Sequence, residues 1–143
     1  TMSELEEVRA AVEGARQTTD LLIITTMSFD TKGRTMMGVK PEQAAKRLRA
    51  LDVTVMGANC GRTLTETLDA ILKMRETLPD ALLMAKPNAG LPHTEKGELI
   101  YDVTPEVMAD YAQRFVEEAG VSIFGGCCGS TPDHIRAVAQ RLK

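Results

Sequence analysis

Short apolar runs alternate with amphipathic segments along this chain, and this alternation constrains its fold more than any other feature. The runs are rich in aliphatic and β-branched side chains, and they fall at residues 21–29, 53–59, 81–85 and 121–125. Continuous runs of this kind are typical of strands that are buried on both faces of a parallel sheet. Each run is followed by a segment with helical periodicity, so the order predicts an opening helix and then four strand-helix units.

Helix-start signals mark where the amphipathic segments begin. They are Ser3 with Glu6, Pro41, Thr63 with Glu66, Thr104 with Pro105, and Thr131 with Pro132. We expect the opening helix to span residues 3–17, and the last helix to bury Ile135, Val138, Ala139 and Leu142. The whole pattern predicts an α/β fold with a parallel sheet and right-handed crossovers, in one folding unit. A flavodoxin-like arrangement and a half barrel both satisfy it, and both place function at the C-terminal ends of the strands.

Composition narrows the functional classes. Lys and Arg total 17 against 20 Asp and Glu, which gives a net charge of −3 and argues against nucleic acid as a partner. No apolar run approaches the roughly 18 residues of a membrane span, and the acidic N-terminal segment lacks the basic start of a signal peptide. Three cysteines, two of them adjacent, make a poor disulfide framework. We therefore expect a cytoplasmic protein, without a membrane partner, whose thiols are free to bind metal.

The cysteines are the most informative candidate site. Cys60 lies in the sequence GANCG, and Cys127 and Cys128 lie in GGCCGSTP. Each group closes a predicted strand and precedes a helix, so the three thiols are expected at one edge of the sheet. Three thiolates suit a catalytic zinc site with one open position. Two consecutive ligands need a non-extended backbone, which the flanking glycines at 125, 126 and 129 permit.

Other interpretations of the same segments stay open. Free cysteines are often simple core residues, and a Cys127 to Cys128 disulfide or a phosphate bound by the glycine-rich loop would indicate a redox or phosphate-binding protein. Asn88, in the loop KPNAGLP, suits either a turn or a hydrogen bond to a polar substrate. His93 and His134 are expected to be exposed, and neither has an evident carboxylate partner in the sequence.

Taken together, GANCG, KPNAGLP and GGCCGSTPDHI resemble the homocysteine S-methyltransferase family, which includes the homocysteine domain of cobalamin-dependent methionine synthase and the betaine-homocysteine methyltransferases. The run SFDTKGRTMMGV, residues 28–39, is similar to the bacterial methionine synthase branch. The family fold is a TIM (βα)8 barrel, which needs about 250 residues. The resemblance therefore implies that residues 1–143 form a single partial domain, the C-terminal half with strands five to eight, completed by another chain or by a dimer partner.

The resemblance also implies a function and a site. Cys60, Cys127 and Cys128 correspond to the zinc ligands of the family, and Asn88 to a residue near the open zinc position that binds substrate. Homocysteine would be the thiol substrate, and methylcobalamin or another corrinoid, on a corrinoid protein or domain, the methyl donor. The family's early glycine-rich segment and its glutamate on strand four have no counterpart in this sequence. A non-catalytic zinc-binding half barrel that assembles with a partner, and a corrinoid-dependent methyltransferase for another thiol, are the alternatives.

Overall fold

The computed structural model describes residues 2–143 and contains five helices and six strands. The helices are α1 (Leu5–Arg16), α2 (Pro41–Ala50), α3 (Leu64–Thr77), α4 (Pro105–Ala119) and α5 (Pro132–Arg141). The strands are β1 (Ile24–Met27), β2 (Val55–Cys60), β3 (Leu82–Pro87), β4 (His93–Glu95), β5 (Glu98–Ile100) and β6 (Ile123–Phe124). No helix among these is long and apolar enough to cross a membrane.

The main sheet is parallel, and its four strands follow one another in chain order, β1-β2-β3-β6. A doubly wound sheet of the flavodoxin kind reverses its strand order at a switch point, and this sheet has no such reversal. Successive right-handed crossovers in one direction place every helix on the same face of the sheet. The structure thus confirms the predicted parallel α/β fold and favours the barrel-like arrangement of the two alternatives.

The main core lies between this sheet and the helices. Met56 on β2 and Leu83 on β3 point into it, where they meet Leu48 of α2, Ile71 of α3 and Phe115 of α4, all of them 0–2% exposed. Alternation along a strand turns every second residue toward the helices, so the remaining residues line the other face of the sheet.

That second face, which we call the open face, has no helix over it. Strand register places Ile24, Val55 and Leu82 in one row across it, and Gly57, Met84 and Ile123 in the next. Ile24, Leu82 and Ile123 are 36–50% exposed, although they belong to strands. The prediction that the strands are buried on both faces is therefore wrong for these three residues, whereas β2 is buried on both of its faces. Leu21 and Leu22, predicted to belong to the first strand, precede β1 and are also exposed.

The sequence predicts where the helices begin more accurately than which of their residues are buried. Thr63 and Thr104 cap α3 and α4 through their side chains as expected, but the predicted capping box of Ser3 and Glu6 is wrong. Glu4 instead caps α1, because its carboxylate accepts hydrogen bonds from the first backbone amides of the helix. In α5 only Val138 of the four predicted core residues is buried. The other three are exposed; they are Ile135, Ala139 and Leu142.

The sequence did not predict the antiparallel hairpin of β4 and β5, which follows the loop after β3. Its turn contains Lys96 and Gly97, both with positive φ. Paired positive φ values are what a tight hairpin turn requires, and Lys at the first of these positions is an unusual choice that hides the signal.

Gly57 tests the close pairing of β2 and β3. A Cβ atom at this position would lie 1.8 Å from the carbonyl oxygen of Met84, and a backbone atom of a paired strand cannot move aside. We expect Gly57→Ala to lower the free energy of unfolding by about 3 kcal/mol or more, at the upper end of overpacking effects. Gly14→Ala is the control, because a Cβ there has nothing within 4 Å and should stabilise α1 by about 0.5–1 kcal/mol. Urea denaturation would measure both, and equal stability of the two variants would contradict this packing.

Candidate metal centre

Cys60 occupies a strained position at the end of β2. Its φ is +56° and that of Gly61 is +76°, so two successive residues turn the chain through the left-handed region. That conformation is costly for a residue with a side chain, and such strain concentrates at functional sites. Thr67, buried in the first turns of α3, places its hydroxyl 3.2 Å from the Cys60 carbonyl oxygen and holds the turn.

The loop that carries Cys127 and Cys128 is equally tight. A Cβ at position 126 would lie 2.3 Å from the Ser130 hydroxyl, and one at position 129 would lie 2.2 Å from the Tyr101 ring. Gly129 also has a φ of +78°. The expectation that glycines shape this loop is correct, and the packing of Tyr101 adds a reason that the sequence did not reveal.

The three thiols converge although their strands are not neighbours. Cys60 is the last residue of β2 and the cysteine pair follows β6, and β3 lies between these strands. The Cys60 and Cys127 sulfur atoms are nevertheless 3.1 Å apart, and the Cys127 and Cys128 sulfur atoms are 4.0 Å apart. All three cysteines are unoxidised, and their sulfurs lie within 4.8 Å of one another.

This donor set fits a zinc ion. Tetrahedral zinc with sulfur at about 2.3 Å separates its sulfur ligands by about 3.8 Å, which lies between the two observed sulfur-sulfur distances of 3.1 and 4.0 Å. Cys60 and Cys127 are half-buried and Cys128 is exposed, so the cluster opens to one side. Three soft ligands with an open side match the pattern of a catalytic rather than a closed structural site.

Asn88 joins the two cysteine loops. Its Nδ2 donates to the Gly61 carbonyl at 2.9 Å, and its Oδ1 accepts from the Cys128 amide at 3.0 Å. Its own backbone amide donates to the Cys60 carbonyl at 3.2 Å. Because Asn88 directly follows β3, it spans the gap between the loops after β2 and β6. The sequence singled out this residue, but as a contact for substrate.

Asn59 is a further polar residue of the site that the sequence analysis missed. It is 2% exposed, and its Nδ2 lies 3.3 Å from the Cys60 sulfur and 3.9 Å from the Cys127 sulfur. Burial raises the pKa of the Cys127 thiol, but hydrogen bonds from Cys60, Asn59 and the Cys128 amide outweigh it and leave this pKa below its usual value. A polar residue at the end of an otherwise apolar run, next to Cys60, was the available signal.

Both histidine predictions need correction. His134 is buried: its Nδ1 accepts from the Thr131 amide, and its Nε2 lies 2.8 Å from the Val103 carbonyl oxygen. It was expected at the surface, but it completes the cap of α5 and anchors the segment that leads into α4. His93 is exposed as expected, yet it has a carboxylate partner, Asp102, at 3.3 Å. Neither histidine belongs to the cysteine cluster.

The chain is similar in sequence to known proteins along nearly its whole length. Residues 1–142 match the family model described as homocysteine S-methyltransferase. The methionine synthases of Mycobacterium leprae and Mycobacterium tuberculosis are 31% and 30% identical to the chain, over 99% of its length. The chain spans only 12% of the length of each of these relatives.

Two crystal structures of the homocysteine methyltransferase MmuM from Escherichia coli share the fold, both with a TM-score of 0.76. The apo form is 22% identical, and the match covers 99% of this chain and 48% of that one. The metallated form is 21% identical, with 98% and 42% covered. At this identity the likeness describes the fold, and the chain corresponds to about half of each structure.

The role of Asn88 can be tested by replacing it with aspartate. Asn88→Asp keeps the acceptor for the Cys128 amide but removes the donor to Gly61, so the two cysteine loops should separate. We expect Zn²⁺ affinity, measured by chelator competition without any thiol, to fall by about 10-fold to 100-fold. Thr94→Ala in the nearby hairpin should leave it unchanged. Unchanged zinc affinity in Asn88→Asp, with weaker homocysteine binding, would show that Asn88 contacts only the substrate.

Proposed function

Because this chain belongs to the homocysteine S-methyltransferase family, we propose that it is a zinc-dependent S-methyltransferase domain that activates the homocysteine thiol and yields methionine. The observation that carries the proposal is the convergence of three thiols from two separate loops within 4.8 Å. Cysteines that only fill an apolar core need not converge at the exposed edge of a sheet. The methionine synthase relatives support the same reaction.

Cys60, Cys127 and Cys128 are the proposed zinc ligands. Bound to three thiolates, Zn²⁺ would supply a fourth position at which the homocysteine thiol loses its proton and stays available as a nucleophile. That proton leaves to solvent through the exposed side at Cys128, so no side chain needs to act as a general base.

The other polar residues of the site have supporting tasks. The Asn59 amide donates toward two of the sulfurs and so stabilises the negative charge that the thiolates gather. Asn88 holds both loops, and its Oδ1 has a second lone pair with which to meet a substrate donor. We therefore propose Asn88 as a substrate contact in addition to its observed bridging role.

Methyl transfer itself is a displacement. The homocysteine sulfur forms a bond to the methyl carbon while the bond from that carbon to the donor breaks, and the electron pair of the broken bond stays with the donor. A methyl-corrinoid such as methylcobalamin, on a corrinoid protein or domain, is the proposed donor. The length of the methionine synthase relatives outside the matched part supports a donor held elsewhere.

A second candidate function is a zinc-holding module that acts through assembly. The open face exposes Ile24, Leu82 and Ile123, and apolar residues in strands usually pack against a second layer. We propose that residues 1–143 are a single partial domain, and that a complementary half barrel or a second copy covers this face. Without that complement we expect weak turnover, since part of the substrate pocket would be missing.

Metal analysis tests the ligand assignment. We expect about one Zn²⁺ per chain in the purified protein, and its loss in Cys60→Ser and in Cys127→Ser, since two thiolates hold zinc poorly. Ser130→Ala, a change in the same loop outside the proposed ligand set, is the control and should keep the metal. Full zinc content in either cysteine variant, or a metal-free protein with full activity, would refute the assignment.

Sedimentation tests the second candidate. If the open face forms an interface, the isolated chain should self-associate. Leu82→Glu should then make it monomeric, with a change in unfolding free energy below about 1 kcal/mol. Val107→Glu, at a similarly exposed apolar residue on the helix side, should leave the association unchanged. A wild-type chain that remains a stable monomer would count against assembly through this face.

A further inference from the structure

Lys86 is a cation in an unusual place. It lies on β3, where Leu83 and Ala85 point into the core beneath the helices and are both 0% exposed. Alternation therefore turns the Lys86 side chain to the open face of the sheet. Register pairs Lys86 with Asn59, whose amide lies 3.3 Å from the Cys60 sulfur. Lys86 thus lies in the row of the open face that adjoins the row of Cys60 and Pro87.

The stem of Lys86 extends toward the loop of the cysteine pair. Its Cγ and Cδ lie 3.5 and 3.8 Å from the point that a Cβ of residue 125 would occupy, so the chain passes over Gly125. Gly125 is two positions before Cys127. Lys86 is half-buried, so part of its side chain is shielded from solvent.

The charge of Lys86 has no ion-pair partner in the part of the chain that the structure describes. Among the strand residues that register places on the open face, it is the only ionisable one. No carboxylate within residues 2–143 lies at ion-pair distance from its ammonium group. A lysine ammonium group without an ion-pair partner can bind an anion through charge-assisted hydrogen bonds.

We propose that Lys86 recognises the carboxylate of the thiol substrate and so selects thiol amino acids over other thiols. This rests on the proposed function, because it requires the substrate sulfur to bind at the cysteine cluster. The aliphatic chain of homocysteine is short, so a sulfur held by the cluster keeps the carboxylate close to the row that contains Lys86. Lys86 is a specificity residue here, and it takes no part in bond making or breaking.

Paired thiols separate this role from general charge balance. Homocysteine and aminopropanethiol, its decarboxylated analogue, would be titrated into the Co²⁺-loaded chain, and the change in the cobalt absorption spectrum gives each dissociation constant. We expect Lys86→Met, which keeps an apolar stem of four atoms but removes the ammonium group, to weaken homocysteine binding about tenfold or more. Its affinity for aminopropanethiol should stay within about twofold, because that ligand has no carboxylate to lose. Lys86→Arg should restore most of the homocysteine affinity, and Co²⁺ content should be equal in all three proteins.

The possible failures are distinguishable. If Lys86→Met lowers the affinity for both thiols equally, or for neither, the carboxylate assignment is wrong, while homocysteine binding at the cluster stands. If neither thiol changes the cobalt spectrum of the wild-type chain, the proposed function and the role of Lys86 fall together.

Discussion

The hydrogen bonds of Asn88 are the interaction on which the site depends. The cysteine loops follow strands that are separated by β3, so the sheet alone would keep their thiols apart. Asn88 stands at the end of that intervening strand and bonds to Gly61 on one side and to Cys128 on the other. The backbone adds a second tie on each side, because Asn88 donates to the Cys60 carbonyl and Cys127 donates to the Pro87 carbonyl. The end of β3 therefore sets the distance between the three sulfurs, and with it the size of the ion that they fit.

The two faces of the sheet differ in how completely they are covered. On the helix side the core is complete, with Leu48, Met56, Ile71, Leu83 and Phe115 almost fully buried. On the open face, apolar side chains end in solvent, and the same face carries Asn59 and Lys86 next to the thiols. In the proposed function the metal ligands come entirely from this chain, whereas the remaining walls of the substrate pocket come from whatever covers the open face. Stability and metal binding should thus be properties of the chain, and turnover a property of the assembly.

The fold was largely predictable from sequence because its signals are local. Apolar runs, Thr63, Thr104 and the helix-starting prolines each act within a few residues, and the structure confirms them. The errors arose where contacts between residues far apart in the chain determine which side chains are buried. Leu22 and Ile135 belong to apolar patterns but are 78% and 44% exposed, and His134 is buried where its Nε2 meets the Val103 carbonyl oxygen. The cysteines were predictable as a group, whereas the roles of Asn59 and Lys86 required the strand register. That register depends on pairing between segments far apart in the chain.

X-ray absorption at the zinc edge tests the central claim most directly, because it counts the atoms bound to the metal. For the zinc-loaded chain alone, we predict three sulfur ligands from Cys60, Cys127 and Cys128, with the fourth position held by a lighter atom. Addition of homocysteine should raise the count to four sulfurs, whereas methionine, which has no free thiol, should leave it unchanged. A sulfur count that stays at three with homocysteine, or a site dominated by nitrogen and oxygen, would contradict the assignment of this cluster as the place where the substrate thiol is activated.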